Sequence, residues 1–453
     1  MATWAWALTF QPVDKDGGPD PAAVPIGDVL GASVSYGVKG DSLNTSGGTM
    51  VLELDNTDSK YTPDAGGTYS NARFLNVIVK LYADVTGAGA PTWTHGPPAA
   101  FTGVVTDIEY TFSDTYAATV TVTVVDLLTM LGTLVFDSDP IGFTLDSATD
   151  GVLDTSQLGF DFTEGLTLAS NPAATMIDRL LRGATALSSQ INQTAVINPA
   201  NDPGPTLQAI TNSTATAGAL LTTMSQTVGG SLYVRHGLPI DATTPYNSLT
   251  FRSRGRPNIT EVVTGVNELT ALNLWDARLT PSGTEPHYFS NVNFLTGSTA
   301  SYSQVSYTSV GGTTQQASSN VNEFGGRSIS RSGLLSLTDA DTLASAQAFL
   351  SEYGTDGAPP LNVRDIKLQP IVEGQNDFWQ YAKYSIGDTT TLELRPEGST
   401  ATLSFTGVIT GVKWHITPQK SQLSVQLDPA TRLVYFTLDS ADYGELDTDT
   451  LGY

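Results

Sequence analysis

The chain has 453 residues, 40% hydrophobic and 15% charged, with 43 Gly, 24 Pro and no cysteine. That is length enough for two to four domains, and a balance that favours many short strands and turns over long helices. Disulfides and Cys-ligated metals are excluded. The net charge of −24 argues against reading nucleic acid through a basic face.

The opening MATWAWALTF has no basic stretch and is too short to span a bilayer, so the expectation is a soluble protein made in a cytoplasm. Strand candidates follow at 29–38, 49–54 and 75–83, with the turn-rich loop LDNTDSKYTPDAGG at 54–67. FTGVVTDIEY (101–110) and TVTVTVV (119–125) alternate apolar and polar residues. Val120, Val122 and Val124 share one face, and TFSD supplies turn residues for a hairpin. Residues 1–135 read as one β-barrel or sandwich domain.

From Lys80 to Arg179 there is no intervening Lys or Arg but there are 13 acids, so 136–170 reads as an acidic linker. Helices are predicted at 171–183, with Asn171 as N-cap, Pro172 at the first helical position and Gly183 as the stop, and at about 214–228. Their stripes are Met176, Ile177, Leu180 and Leu181, then Leu220, Leu221, Met224 and Val228. Gly229-Gly230 ends the second and feeds a strand, SLYVRHG. Residues 296–320, rich in Ser, Thr and Gly, read as solvated edge strands or a loop. These segments make 171–335 a mixed α/β region. Thr338 to Asp341 has the form of a capping box with Asp in the Glu place. It opens a helix carrying Leu343, Ala346, Leu350 and Tyr353 and closed by Gly354. Strands return at 361–371, 389–395, 403–415 and 421–428, so 336–435 reads as a helix plus a second β domain. Residues 436–453 form a closing extended peptide.

Two repeats tie the ends of the chain together. FTLDSATDGVLDTSQLGF (143–160) and FTLDSADYGELDTDTLGY (436–453) agree at 12 of 18 positions. FTGVVTDI (101–108) and FTGVITGV (405–412) also match, each followed by a strand, an Asp (Asp126, Asp428), an apolar stretch and the long peptide. The simplest account is a duplicated β domain. Leu438, Leu446, Leu451 and Tyr453, like Leu145, Leu153, Leu158 and Phe160, are spaced to anchor an extended segment on a β domain of the same or a neighbouring chain, with Gly444 and Gly151 as turns.

Chemistry-bearing motifs are weak. GDSL (40–43) would make Ser42 an esterase nucleophile, but that mechanism needs a partner His supplied as Asp-x-x-His. The residues three before His95, His236, His287 and His415 are Thr92, Tyr233, Thr284 and Val412. The four His show no zinc spacing, there is no P-loop, and the Asp-rich peptides lack a calcium-hand loop. Arg252, Arg254 and Arg256 form the one basic cluster, suited to a phosphate, to a neighbour's carboxylates or to a solvated strand end. No catalytic, cofactor-binding or metal residue is assigned, and no cofactor is expected.

LDNTDSKYTP, then FTGVVTDIEYTFSDTYAATVTVTVVDLLTML, then the ending LDSADYGELDTDTLGY, resemble the minor tail proteins, or tail-hub (baseplate hub) proteins, of long-tailed actinobacteriophages. The resemblance runs along most of the chain. The internal copy at 143–160 departs from the family's pattern.

The resemblance implies a non-enzymatic virion protein of a siphovirus tail tip, assembled in the host bacterial cytoplasm. It implies a homo-trimer in which each chain brings two tail-tube-like domains, joining a six-fold tube to a three-fold tip. Its partners would be the tail tube, other tail-tip proteins and the tape measure protein, with DNA passing through the lumen at ejection without specific binding. An acid-lined lumen would offer phosphates no cationic trap. The alternatives are another tail-tip protein, distal or receptor-contacting, and a cell-wall or ester hydrolase.

Overall fold

The computed structural model describes residues 6–14, 24–26, 28–38, 45–62, 72–83, 99–112, 118–133, 166–177, 180, 204–213, 215–236, 248–252, 272–275, 287–295, 302–318, 327–353, 362–368, 371–372, 375–376, 381, 384–395, 402–417 and 420–429. In chain order the first strands are β1 (Trp6–Asp14), β2 (Val24–Ile26), β3 (Val29–Val38), β4 (Thr45–Asp55), β5 (Ala72–Ala83), β6 (Ala99–Phe112) and β7 (Ala118–Val125), followed by helix α1 (Leu127–Thr133). The middle holds β8 (Leu166–Leu168), β9 (Ile210–Ser213), α2 (Ala217–Val228), β10 (Ser231–Arg235), β11 (Ser248–Arg252), β12 (Leu272–Trp275), β13 (His287–Leu295), β14 (Gln304–Ser309), β15 (Thr314–Ser318), β16 (Ser328–Leu334) and α3 (Asp339–Tyr353). The last strands are β17 (Asn362–Leu368), β18 (Ile371–Val372), β19 (Gln375–Asn376), β20 (Thr389–Leu394), β21 (Leu403–Ile416) and β22 (Ser421–Pro429).

The chain is mainly β, with two barrel-type strand sets and a mixed α/β middle. In the first set the order is β1-β5-β6-β7-β4-β3, with β2 added at the edge of β1. In the second it is β12-β20-β21-β22-β17-β13, and β13 pairs back with β12 to close a six-stranded barrel. Taken in sequence order, β3, β4, β5, β6 and β7 correspond to β13, β17, β20, β21 and β22. Each pairing among the first five, all antiparallel, is reproduced among the second five. The sixth strand differs: β1 runs antiparallel to β5, while short β12 runs parallel to both β20 and β13. The duplication read from FTGVVTDI and FTGVITGV therefore extends to the strand order: those words lie on β6 and β21. The second set also draws on β12 and β13, well before residue 336.

A six-residue antiparallel seam, Ala32–Gly37 of β3 against Gly411–Ile416 of β21, fuses the sets into one 13-stranded sheet. Gly37 makes the seam possible. Its φ is +142°, and a Cβ there would lie 2.5 Å from the Cα of Gly411 and from the carbonyl oxygen of Thr410. Alternation places Val34, Met50, Val124, Trp414 and Leu423 inward, and a single apolar core runs under both sets.

Two smaller cores serve the middle. The first packs α1, the helical residues 173–177 and α2 around Met176, Ile177, Leu180, Leu221 and Met224. The predicted stripes are buried here; Leu181 and Gly183 lie outside the described residues. The side-chain amide of Asn171 donates to the carbonyl of Ala169. Helix α2 starts at N-cap Thr216, whose hydroxyl accepts from the Ala219 N–H, and stops at Gly229 in the left-handed region. The second core packs α3 on the β15-β14-β16 sheet through Phe349, Tyr307 and Val305. The Ser/Thr-rich segment 296–320 thus holds a hairpin, β14–β15. The capping box at α3 is reciprocal: Asp341 N–H donates to Thr338 Oγ1 (3.1 Å), and Thr338 N–H donates to Asp341 Oδ2 (3.0 Å).

Candidate assembly interface

The residues that lock the two strand sets together are polar and buried. β10 follows the Gly229-Gly230 turn with Leu232 and Val234 directed into the helical core, so Tyr233 and Arg235 point the other way, towards the sheet. Arg235 is 2% exposed. Its guanidinium makes a two-pronged contact with Asp388, Nη1 to Oδ1 at 2.7 Å and Nη2 to Oδ2 at 3.2 Å. Asp388 Oδ2 also accepts the Ser385 N–H (2.7 Å), and Ser385 Oγ accepts the His236 N–H (3.0 Å). The His236 ring stacks on Phe101 of β6 at 4.6 Å and meets Tyr36 of β3 edge-on at 4.5 Å. One cluster therefore joins β3 and β6 of the first set, β10 of the middle, and the turn leading into β20 of the second.

Burial works against the charge of Arg235, but the Asp388 carboxylate beside it and their hydrogen bonds hold its pKa above the ordinary value. Burial also pushes the Tyr36 phenol up. Although Ser385, His236 and Asp388 adjoin, they are not arranged as a nucleophile, base and orienting acid. Ser385 binds the backbone N–H of His236, not its ring, and Asp388 is engaged by Arg235.

A second buried acid ties β4 to α1. Asp126, 2% exposed, accepts the Thr129 N–H at 2.9 Å and the Gly48 N–H, so it caps the helix that leaves β7. Burial outweighs these hydrogen bonds and pushes its pKa up to about 6.

The outward face of the fused sheet is polar and continuous. One row across it reads Asp107, Thr123, Val51, Ser33, His415 and Gln422; the next reads Thr49, Ser35, Lys413, Ser424 and Lys367. Acids (Asp107, Glu109, Glu53) sit towards the first set, and bases (Lys413, Lys367, His415) towards the second. The expected acidic surface is thus only part of this face.

Ser42, His95, Arg254, Arg256 and both long peptides lie outside the described residues, as does the His287 side chain. Among the described residues no group of His, Asp and Glu could hold a metal ion, and no helix is long and apolar enough to cross a membrane. Sequence reasoning passed over Arg235 and Asp388. The available signal was a lone base in the apolar run SLYVRHG between glycines.

No family model matches the chain, and no curated protein matches it in sequence. Its fold does match solved structures over nearly its full length. The 43 kDa tail protein of prophage MuSo2 from Shewanella oneidensis superposes with a TM-score of 0.54 at 12% identity, covering 94% of this chain and 99% of that one. The tail protein from Neisseria meningitidis MC58 superposes with a TM-score of 0.52 at 10% identity, covering 95% and 98%. At such identities the likeness is one of fold.

Proposed function

We propose that this chain is a structural protein of a bacteriophage tail, a hub that joins the tail tube to the tail tip as a homo-trimer. The observation that carries the reading is the repeated strand order. One chain holds two six-stranded sets of matching order, similar but unequal, fused edge to edge through β3 and β21. Three such chains in a closed ring present six tube-like units, which is what joining a six-fold tube to a three-fold tip requires. The fold shared with two tail proteins supports the same reading.

The first tube-like unit is residues 1–135. The second is built from 336–435 together with β12 and β13, while 136–170 links and 171–335 otherwise braces the pair. The Arg235–Asp388 cluster holds the two units at a fixed angle, so that the ring closes. Tube, tape measure protein and other tip proteins are its partners, and DNA passes without being bound. The test is the copy number and symmetry of this chain in purified tails. Three copies around the tube axis support the proposal; six copies, or a position off the axis, reject it.

A further inference from the structure

Across the seam between the two strand sets lies a groove that no described residue fills. It opens on the outward face where β3, β4, β21, β22 and β17 run side by side, with a volume of about 420 Å³. Its outward-facing lining includes Ser35, Val51, Lys367, Lys413 and His415. Val51 is 39% exposed, an apolar spot inside a polar rim. Asp365 lies 3.9 Å from the Lys367 ammonium, and His415 Nδ1 lies 3.3 Å from Ser33 Oγ. Glu53, two residues along β4 from Val51, is the nearest acid on that strand. Among the described residues no ion pair engages Lys413. In a chain of net charge −24, this is a cationic groove with one apolar contact point.

We infer that this groove seats the chain's own closing peptide, residues 436–453, through its acidic middle from Asp439 to Asp449. Charge and reach both favour that occupant. The peptide carries five acids and no Lys or Arg, with Leu438, Tyr443 and Leu446 interspersed to meet Val51. Its twin at 143–160 carries only three acids.

The connection is short enough. Lys413 faces Ser424 across the β21–β22 hairpin, and β22 runs five residues on to Pro429, a rise of about 17 Å. Phe436 is seven residues beyond Pro429, a reach of up to about 23 Å, so the chain can double back over the groove. Exposed Ser33 and Ser35 and half-buried Thr49 and Ser424 beside it offer hydrogen bonds to an extended backbone. The peptide would then cover the side of β21 next to the β3 seam.

The absence of cysteine gives a direct test in the full chain. A Ser35→Cys/Ser440→Cys pair is oxidised, and disulfide formation is compared with a Ser330→Cys/Ser440→Cys control on the β15-β14-β16 sheet. The expected result is cross-linking at least tenfold faster than the control, at single-chain mass. Adding Lys367→Glu and Lys413→Glu slows it at least fivefold. Should those variants misfold, about 1 M salt applied to the Ser35→Cys/Ser440→Cys chain, which shortens electrostatic reach to about 3 Å, slows it likewise. Rates equal to the control, insensitivity to both the charge reversal and salt, a product of double mass, or faster capture by a Ser35→Cys/Ser147→Cys pair would each overturn the assignment.

Discussion

Replacing Arg235 with methionine removes the guanidinium but keeps much of its buried volume. Asp388, 1% exposed, then faces no countercharge. Breaking a buried ion pair from one side costs about 3–5 kcal/mol, because the remaining charge is stranded in a low-dielectric site. Part of that loss is offset because Asp388 keeps the Ser385 N–H bond. The expected cost of Arg235→Met is therefore about 3 kcal/mol.

Asp388→Leu alone strands the arginine instead and should cost at least as much. The double variant Arg235→Met/Asp388→Leu removes both charges and should be less destabilised than either single change. Urea denaturation followed by tryptophan fluorescence reads this directly, since Trp414 is buried in the core that the cluster overlies. Urea is preferred to guanidinium, which would screen the pair. If Arg235→Met moved the midpoint no more than an exposed substitution does, within about 0.5 kcal/mol, the cluster would not be what holds the two strand sets together.

Three further outcomes are expected. Gly37→Ala forces a Cβ against Gly411 and Thr410 across the seam; it should cost at least about 1–3 kcal/mol from backbone strain alone and expose β3–β21 to limited proteolysis, whereas unchanged resistance would dismiss the seam argument. Asp126 titrates at about 6 in the fold against an ordinary value near 3.9, so between these values the folded chain holds more protons than the unfolded one. Its contribution is greatest at low pH and is lost as pH rises, by about 2 kcal/mol from pH 4 to pH 7; the difference between wild type and Asp126→Ala should follow that slope, and a flat difference would refute the burial argument. Thr338→Ala removes one arm of the reciprocal cap on α3 and should cost about 1 kcal/mol in chemical denaturation; a loss under about 0.3 kcal/mol would mean that Asp339 and the packing of Phe349 hold the helix without it.

Local pattern made most elements legible. Strict alternation marked β7, Gly229-Gly230 marked the end of α2, and Thr338 with Asp341 marked the start of α3, because each is a short-range rule of backbone geometry. The repeated FTGV word announced a duplication that the strand order bears out. The seam between the sets was not legible. Tyr36 of β3 and its partner Val412 of β21 are 376 residues apart, and nothing in either strand names its partner until Gly37 and Gly411 are seen in contact. β1 begins within WAWALTF, whose first five residues are all apolar and so show no polar–apolar alternation to mark a strand. β12 and β13 were passed over because a four-residue strand and HYFSNVNFL carry little alternation. Arg235 and Asp388 were hidden for a related reason: a buried ion pair joins residues 153 apart, and each alone reads as a surface charge.

The reading of this chain as a tail-tip hub is tested most directly by electron cryo-microscopy of the tails that contain it. The account predicts three copies in one ring, each placing both of its six-stranded sets around a common channel, so that six similar units surround the axis. A ring of six copies, or a chain whose two sets do not both face the channel, would contradict it.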